Sequence, residues 1–323
     1  MSLNKIIILS LCLLFLPLQS KAIFGLAGRA EQKQKIAAAR EAYAKGNYGQ
    51  AIQICKDFLM QNQDAPKRRT KRIYFVLGNT YTTLEDYDNA LLTYNEALEL
   101  LPKDVELNLA LADLYYKTEL YDKAIEFYNK ALKFDEGNMP ALLGLGRAYF
   151  KIGFLSKSRQ YFKEYLEQPG QKDPSIYLDY ANVNFLSNNS NVALNYAAKA
   201  AKLEEENPDI YFLKAKIYNN LNSLQQARVN IDKALMLAPQ REDILLTSML
   251  WKAYEKDTAQ TAFKEIKEYQ KQNPQSQLAI FIEYLSLINQ GKKQEALKVL
   301  KQVQGQEQDS FIKNISTEIL KNN

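Results

Sequence analysis

Five basic side chains, Lys67, Arg68, Arg69, Lys71 and Arg72, fall within six positions of the stretch APKRRTKRIYF, residues 65–75. Guanidinium and ammonium groups at that density can neutralise carboxylates, phosphates or anionic headgroups. Composition prunes most other chemistry. The 323 residues include no histidine, which excludes imidazole general acid/base catalysis, Ser-His or Cys-His nucleophile activation and histidine metal ligation. Of the two cysteines, Cys12 lies in an apolar N-terminal run and Cys55 occupies an apolar helical slot, where an inert buried thiol is expected. Glu204, Glu205 and Glu206 read as a solvated turn, because consecutive residues do not converge on one cation. The triplets Asn188-Asn189-Ser190 and Asn314-Ile315-Ser316 fit the glycosylation pattern, which has meaning only in a eukaryotic secretory path. With no Gly-rich phosphate loop in view either, no cofactor and no catalytic site are expected.

The elements that must carry these residues are helical. Gly (12) and Pro (9) are sparse beside 21 Tyr and 14 Phe, and apolar residues recur at helical spacing in paired runs divided by short polar turns. Residues 77–102 read LGNTYTTLEDYDNALLTYNEALELLP, and residues 111–132 read LADLYYKTELYDKAIEFYNKAL. Tyr81, Tyr115 and Tyr149 recur every 34 residues, as do Ala90, Ala124 and Ser158. The small-residue column continues through Ala193, Ala227, Ala262 and Ala296 in steps of 34 or 35. Only the step from Ala51 to Ala90 is longer, at 39, and the basic run falls in that gap; with Asp64 as N-cap and Pro66 in the first turn, the insertion is expected to extend the next first helix N-terminally by about five residues.

These residues resemble the tetratricopeptide repeat (TPR) family, most fully at Tyr74, Leu77, Gly78, Tyr81, Ala90, Tyr94, Ala97 and Pro102. The resemblance covers residues 32–308, about eight units, with degenerate outer ones. It implies an all-α fold: a right-handed superhelical solenoid of stacked antiparallel helix hairpins. Gly78, Ala90 and Ala97 are expected where helix backbones approach closely, with Tyr81 and Tyr94 filling the gaps between neighbouring hairpins. Residues 23–31 form a lead-in, and residues 309–323, with Phe311, Ile315 and Ile319 at four-residue spacing, are expected to cap the last hairpin.

The N-terminus carries an address. MSLNK precedes a 13-residue apolar run, Ile6 to Leu18, and then QSKA. The order is that of a secretory signal peptide over residues 1–22, with cleavage after Ala22; the run falls short of the ~20 residues that span a bilayer. The mature chain is then expected in the periplasm or secreted, with a membrane anchor through an uncleaved leader as the alternative. Loss of Lys5 and Lys21 takes the formal charge from +5 to +3, too mild for nucleic acid.

In the resembled family the first helix of each hairpin lines a concave groove. Stepping through the register gives one inner column of Asn79, Asp113, Arg147, Asn182 and Lys216. A second holds Thr82, Tyr116, Phe150, Phe185 and Asn219, and a third Phe75, Leu109, Leu143, Leu178 and Phe212. Such a surface suits a protein partner, as a peptide, an extended segment or a helix. The competing interpretation is that these side chains only pack within the solenoid. The family's clamp for chaperone C-terminal carboxylates is not reproduced: Asn79 fits one slot, but Phe75 and Ala110 stand where Lys and Asn are needed. The expectation is a non-enzymatic interaction scaffold that assists assembly of a bacterial envelope or secretion complex. A module presenting substrates to a catalytic partner is the alternative. For the basic run two readings stay open. One is an anionic partner, either lipid headgroups or an acidic protein face; the other is a solvated helix start.

Overall fold

The computed structural model describes residues 28–62, 67–170 and 173–303. The expected signal segment (1–22), the residues around Asp64 and Pro66 ahead of the basic run, and the expected C-terminal cap (309–323) lie outside the described residues. Among those described there are sixteen helices and no strand. They pair in order as eight hairpins. The first unit contains α1 (28–44), α2 (Tyr48–Gln61), α3 (Lys67–Thr83), α4 (Tyr87–Leu100), α5 (Val105–Lys117), α6 (Tyr121–Phe134), α7 (Met139–Lys151) and α8 (Leu155–Glu167). The second contains α9 (Pro174–Leu186), α10 (Ser190–Leu203), α11 (Pro208–Asn220), α12 (Leu224–Leu237), α13 (Glu242–Tyr254), α14 (Lys256–Gln272), α15 (Gln277–Asn289) and α16 (Lys293–Val303). The two compact units divide between Gln171 and Lys172.

Helix starts are written in the turns. Asp104 accepts from the Leu107 N–H, Asn138 from Ala141 and Asp173 from Ser175, each satisfying an orphan donor of the first turn. Pro140, Pro174 and Pro208 sit in first turns, where a missing N–H costs nothing. The turn inside a hairpin has its own recurring slot. Gly46, Glu85, Glu119, Gly153, Asn188, Asn222 and Gly291 all have φ between 57° and 79°. At Glu119 the backbone N–H bonds to the Tyr116 carbonyl (3.1 Å) and the Leu120 N–H to the Tyr115 carbonyl (2.8 Å). This left-handed stop closes the last open carbonyls of the first helix. The seventh hairpin lacks it: only Glu255, extended at φ −106°, separates α13 from α14.

The small-residue column packs helix against helix. Ala51, Ala90, Ala124, Ser158, Ala193, Ala227, Ala262 and Ala296 are at most 1% exposed. Ser158 fits among the alanines because its hydroxyl donates to the Gly146 carbonyl at 2.7 Å. Glycines make room for aromatic rings. A Cβ on Gly78 would lie 2.5 Å from the Tyr94 ring, and one on Gly144 would lie 2.2 Å from the Tyr128 ring. Tyr94 packs on Gly78 of its own hairpin. Tyr128, in the same register slot, packs on Gly144 of the next hairpin. The two glycines occupy different slots: the Gly78 slot becomes Ala112 in the third hairpin, and the Gly144 slot is Ala110 one unit earlier.

Helix α3 shares with α1 a length of 17 residues that no later first helix reaches. The first helices from α5 to α15 each have 13 residues, whereas α3 has 17, the extra four being Lys67 to Thr70 at its start. The long Ala51-to-Ala90 step therefore becomes one more helical turn, and the basic run rides on it. No helix among the described residues is long and apolar enough to cross a membrane.

Candidate functional site

In the first unit the inner column is built by hydrogen bonds from second helices. The Tyr94 hydroxyl donates to Asn79 Oδ1 at 2.6 Å, and the Tyr128 hydroxyl to Asp113 Oδ1 at 2.6 Å. Both pairs are 15 residues apart, so the repeat geometry itself delivers a phenol beneath the column. The pattern ends at Arg147, where the equivalent position is Phe162 and has no hydroxyl. Burial of the rings pushes both phenol pKa values well above the ordinary range. Asp113 keeps contact with solvent, but the protein around it displaces the more distant water that stabilises charge. Its pKa therefore lies above the ordinary carboxylate value, with the Tyr128 bond pulling the other way.

Asp113, Tyr116 and Arg147 converge on one pocket of about 250 Å³, floored by Tyr128 and Leu143. Tyr116 is half-buried against the Tyr121 ring, centroids 5.4 Å apart, and Phe150 is half-buried further along the second column. Of the third column, Phe75, Leu109 and Leu143 are half-buried, so each packs on the core and still shows an apolar edge. The first unit thus offers hydrogen-bonding groups beside an apolar strip.

The five basic residues divide between two roles. Lys67 donates to the Leu100 carbonyl (3.0 Å) and Arg69 to Gln32 Oε1 (2.5 Å). Lys71 pairs with Asp104 (2.7 Å) and Glu106 (2.5 Å), and these two carboxylates outweigh desolvation to hold its pKa above the usual value. Arg68 and Arg72 line two adjoining depressions with Arg40 of α1, and Arg69 and Lys71, already paired, each border one of them. The register could have found Arg40: it precedes Asn79 by the same 39 residues that separate Ala51 from Ala90, which makes it the first member of the inner column.

In the second unit Asn182 and Phe185 are half-buried, while Lys216 and Asn219 are exposed. Lys216 Nζ lies 3.9 Å from the centroid of the Phe212 ring, which is buried. Desolvation lowers the Lys216 pKa despite the nearby carboxylates of Asp243 and Asp209. Cys55 is fully buried, and burial pushes its thiol up to about 12, which makes it unreactive. Among the described residues no three Cys, Asp or Glu side chains come together as a metal site.

A tetratricopeptide repeat family profile matches residues 36–105 and 75–139, and a second such profile matches residues 208–241. No curated protein matches the sequence. Among solved structures, PilF of Pseudomonas aeruginosa is 16% identical, with a TM-score of 0.58, covering 71% of this chain and 100% of its own. PilW, described as a widely conserved type IV pilus biogenesis factor, is 22% identical, with a TM-score of 0.56 and coverage of 67% and 97%. A tetratricopeptide repeat protein from Parabacteroides merdae is 17% identical, with a TM-score of 0.55 and coverage of 90% and 97%. At such identities the likeness is one of fold. Tetratricopeptide repeats are therefore recognised in both units of this chain, on an all-α fold of stacked helical hairpins.

Proposed function

We propose that the chain is a non-enzymatic protein-interaction scaffold that acts outside the cytoplasm, holding a segment of a partner protein along the inner face of its first helices. The observation that carries this reading is the pairing of two columns in the first unit. Asn79 and Asp113 are held in fixed orientations by buried tyrosines, beside the half-exposed edges of Phe75, Leu109 and Leu143. Pre-positioned polar groups fix the register of a bound chain, and the apolar strip supplies the affinity. The extracytoplasmic location rests on the leader MSLNK-IIILSLCLLFLPL-QSKA. Assembly of an envelope or secretion complex is the matching role, and the fold likeness to a type IV pilus biogenesis factor is consistent with it.

A photo-crosslinker placed at Phe150, followed by capture from periplasmic extract, tests the reading. One abundant envelope protein supports the scaffold, and a synthase or transferase supports a substrate-presenting module instead. Capture of nothing overturns both. N-terminal sequencing tests the location separately: a membrane-bound chain that still begins at Met1 replaces the cleaved form with an anchored one.

A further inference from the structure

Four cations at the start of the inner face have no counter-charge. Arg68 and Arg72 on α3, and Lys33 and Arg40 on α1, make no hydrogen bond or ion pair among the described residues. The register explains why they meet. Arg40 and Asn79 hold the same slot in successive hairpins, Lys33 and Arg72 hold the slot seven residues earlier, and Arg68 is added by the extra turn of α3. The result is two adjoining depressions of about 660 and 630 Å³ that share Arg40, Arg68 and Arg72. Glu106 is the one carboxylate lining them, and Lys71 already occupies it.

We propose that this end of the inner face is a subsite for an acidic peptide segment, taking two or three clustered carboxylates of a partner whose following residues are apolar. The inference rests on the scaffold reading above and adds the chemistry of the ligand. Guanidinium forks bind carboxylates in pairs of parallel hydrogen bonds, and three of them around one depression repel each other until an anion enters. Ile36 and Phe75 give the same depressions an apolar wall. Asn79 lies at the far rim with its Oδ1 taken by Tyr94, which leaves its Nδ2 hydrogens to meet a peptide carbonyl.

Geometry favours a peptide over the other anions. A bilayer surface is flat and cannot follow Arg40 and Ile36 into a depression between two helices. A nucleic acid carries charge along its whole length and would next meet Asp113, where the column turns acidic. A peptide can be acidic at one end only.

The test is selection from a random 12-residue display library against the full mature chain and against Arg40→Gln/Arg68→Gln/Arg72→Gln. The wild type is expected to enrich peptides with clustered Asp or Glu, and the triple variant to lose that enrichment. A synthesised winner should bind the triple variant at least about tenfold more weakly, a modest figure for three charge-assisted contacts. Lys67→Gln should change its affinity by less than about twofold, since Lys67 lies outside both depressions and bonds to the Leu100 carbonyl. Circular dichroism of each variant checks that it is folded. Enrichment without acidic residues, or equal enrichment on the triple variant, overturns the subsite. Selected apolar peptides that Phe150→Ala rejects and the triple variant keeps would overturn the subsite while leaving the scaffold intact. Flotation with phosphatidylglycerol vesicles that only the triple variant abolishes, without acidic peptides in the selection, would overturn it in favour of a membrane.

Discussion

Gly144→Ala gives two physical terms of opposite sign, so its outcome is decisive for the packing between the third and fourth hairpins. In an open helix position the added methyl would stabilise by about 1 kcal/mol, because alanine outranks glycine as a helix former. Here the Cβ would stand 2.2, 2.3 and 2.6 Å from three atoms of the Tyr128 ring. Carbon atoms in contact sit about 3.5–4.0 Å apart, so the ring must retreat by more than about 1 Å. It has nowhere to go, since Tyr128 is 3% exposed and its hydroxyl is tied to Asp113 at 2.6 Å. Overpacking costs about 1–3 kcal/mol, and a lost hydrogen bond to a charged acceptor about 1.5–3 kcal/mol where water does not replace it. Solvent reaches Asp113, so the lower ends apply and the net, after the helix gain, is a loss of about 1.5 kcal/mol. Urea unfolding followed by circular dichroism reads this as a lower midpoint of the first unit's transition at unchanged slope. Gly78→Ala, 2.5 Å from Tyr94, should cost somewhat less. Gly146→Ala, 3.0 Å from Phe162, needs only a few tenths of an ångström and should be near neutral. In a Tyr128→Ala background Gly144→Ala should become stabilising. A raised midpoint for Gly144→Ala alone, or Gly146→Ala as the costliest of the three, would refute the close-approach argument.

Two further outcomes follow from the backbone and the inner column. Glu119→Gly relieves a side chain held at φ 62°. Left-handed backbone costs an L-residue about 1–2 kcal/mol, and the added freedom of the unfolded glycine returns about half of it, so a gain of about 0.5–1 kcal/mol is expected in thermal unfolding; a lower melting temperature would contradict it. Asp113→Asn keeps an acceptor for Tyr128, as Asn79 does for Tyr94. Burial raises the Asp113 pKa, so its favourable contribution is complete when protonated, below the unfolded value, and is lost as pH rises through the folded value. The variant should therefore be more stable than wild type at pH 7, with the difference vanishing below about pH 4; denaturation at both pH values checks the sign.

Hairpins and register were legible because a column such as Ala90, Ala124 and Ser158 has no alternative to being small. The extra turn of α3 was legible for a related reason: it shifts every later column by a countable number of residues. The direction each basic side chain takes was not. Lys67, Arg69 and Lys71 are claimed by Leu100, Gln32, Asp104 and Glu106, which stand 33 to 37 residues away, and only the folded stack brings them near. Arg40 lay outside the basic run altogether. The turn slot at Glu85 and Glu119 was equally hidden, since glutamate gives no hint of left-handed backbone until it is aligned with Gly46 and Gly153. That Tyr94 meets Gly78 and Tyr128 meets Gly144 was also hidden, a pairwise fact that the repeat pattern averages away.

The additional turn at the start of α3 also breaks a symmetry. A surface of near-identical units presents equivalent seats every 34 residues, and a chain lying along it can slip from one to the next with little change in energy. The extra turn, carried by α1 and α3 and absent from the first helices α5 to α15, gives the first unit an origin, as a zero mark does for a ruler. Position along the array, and the direction in which a bound chain runs, then become distinguishable.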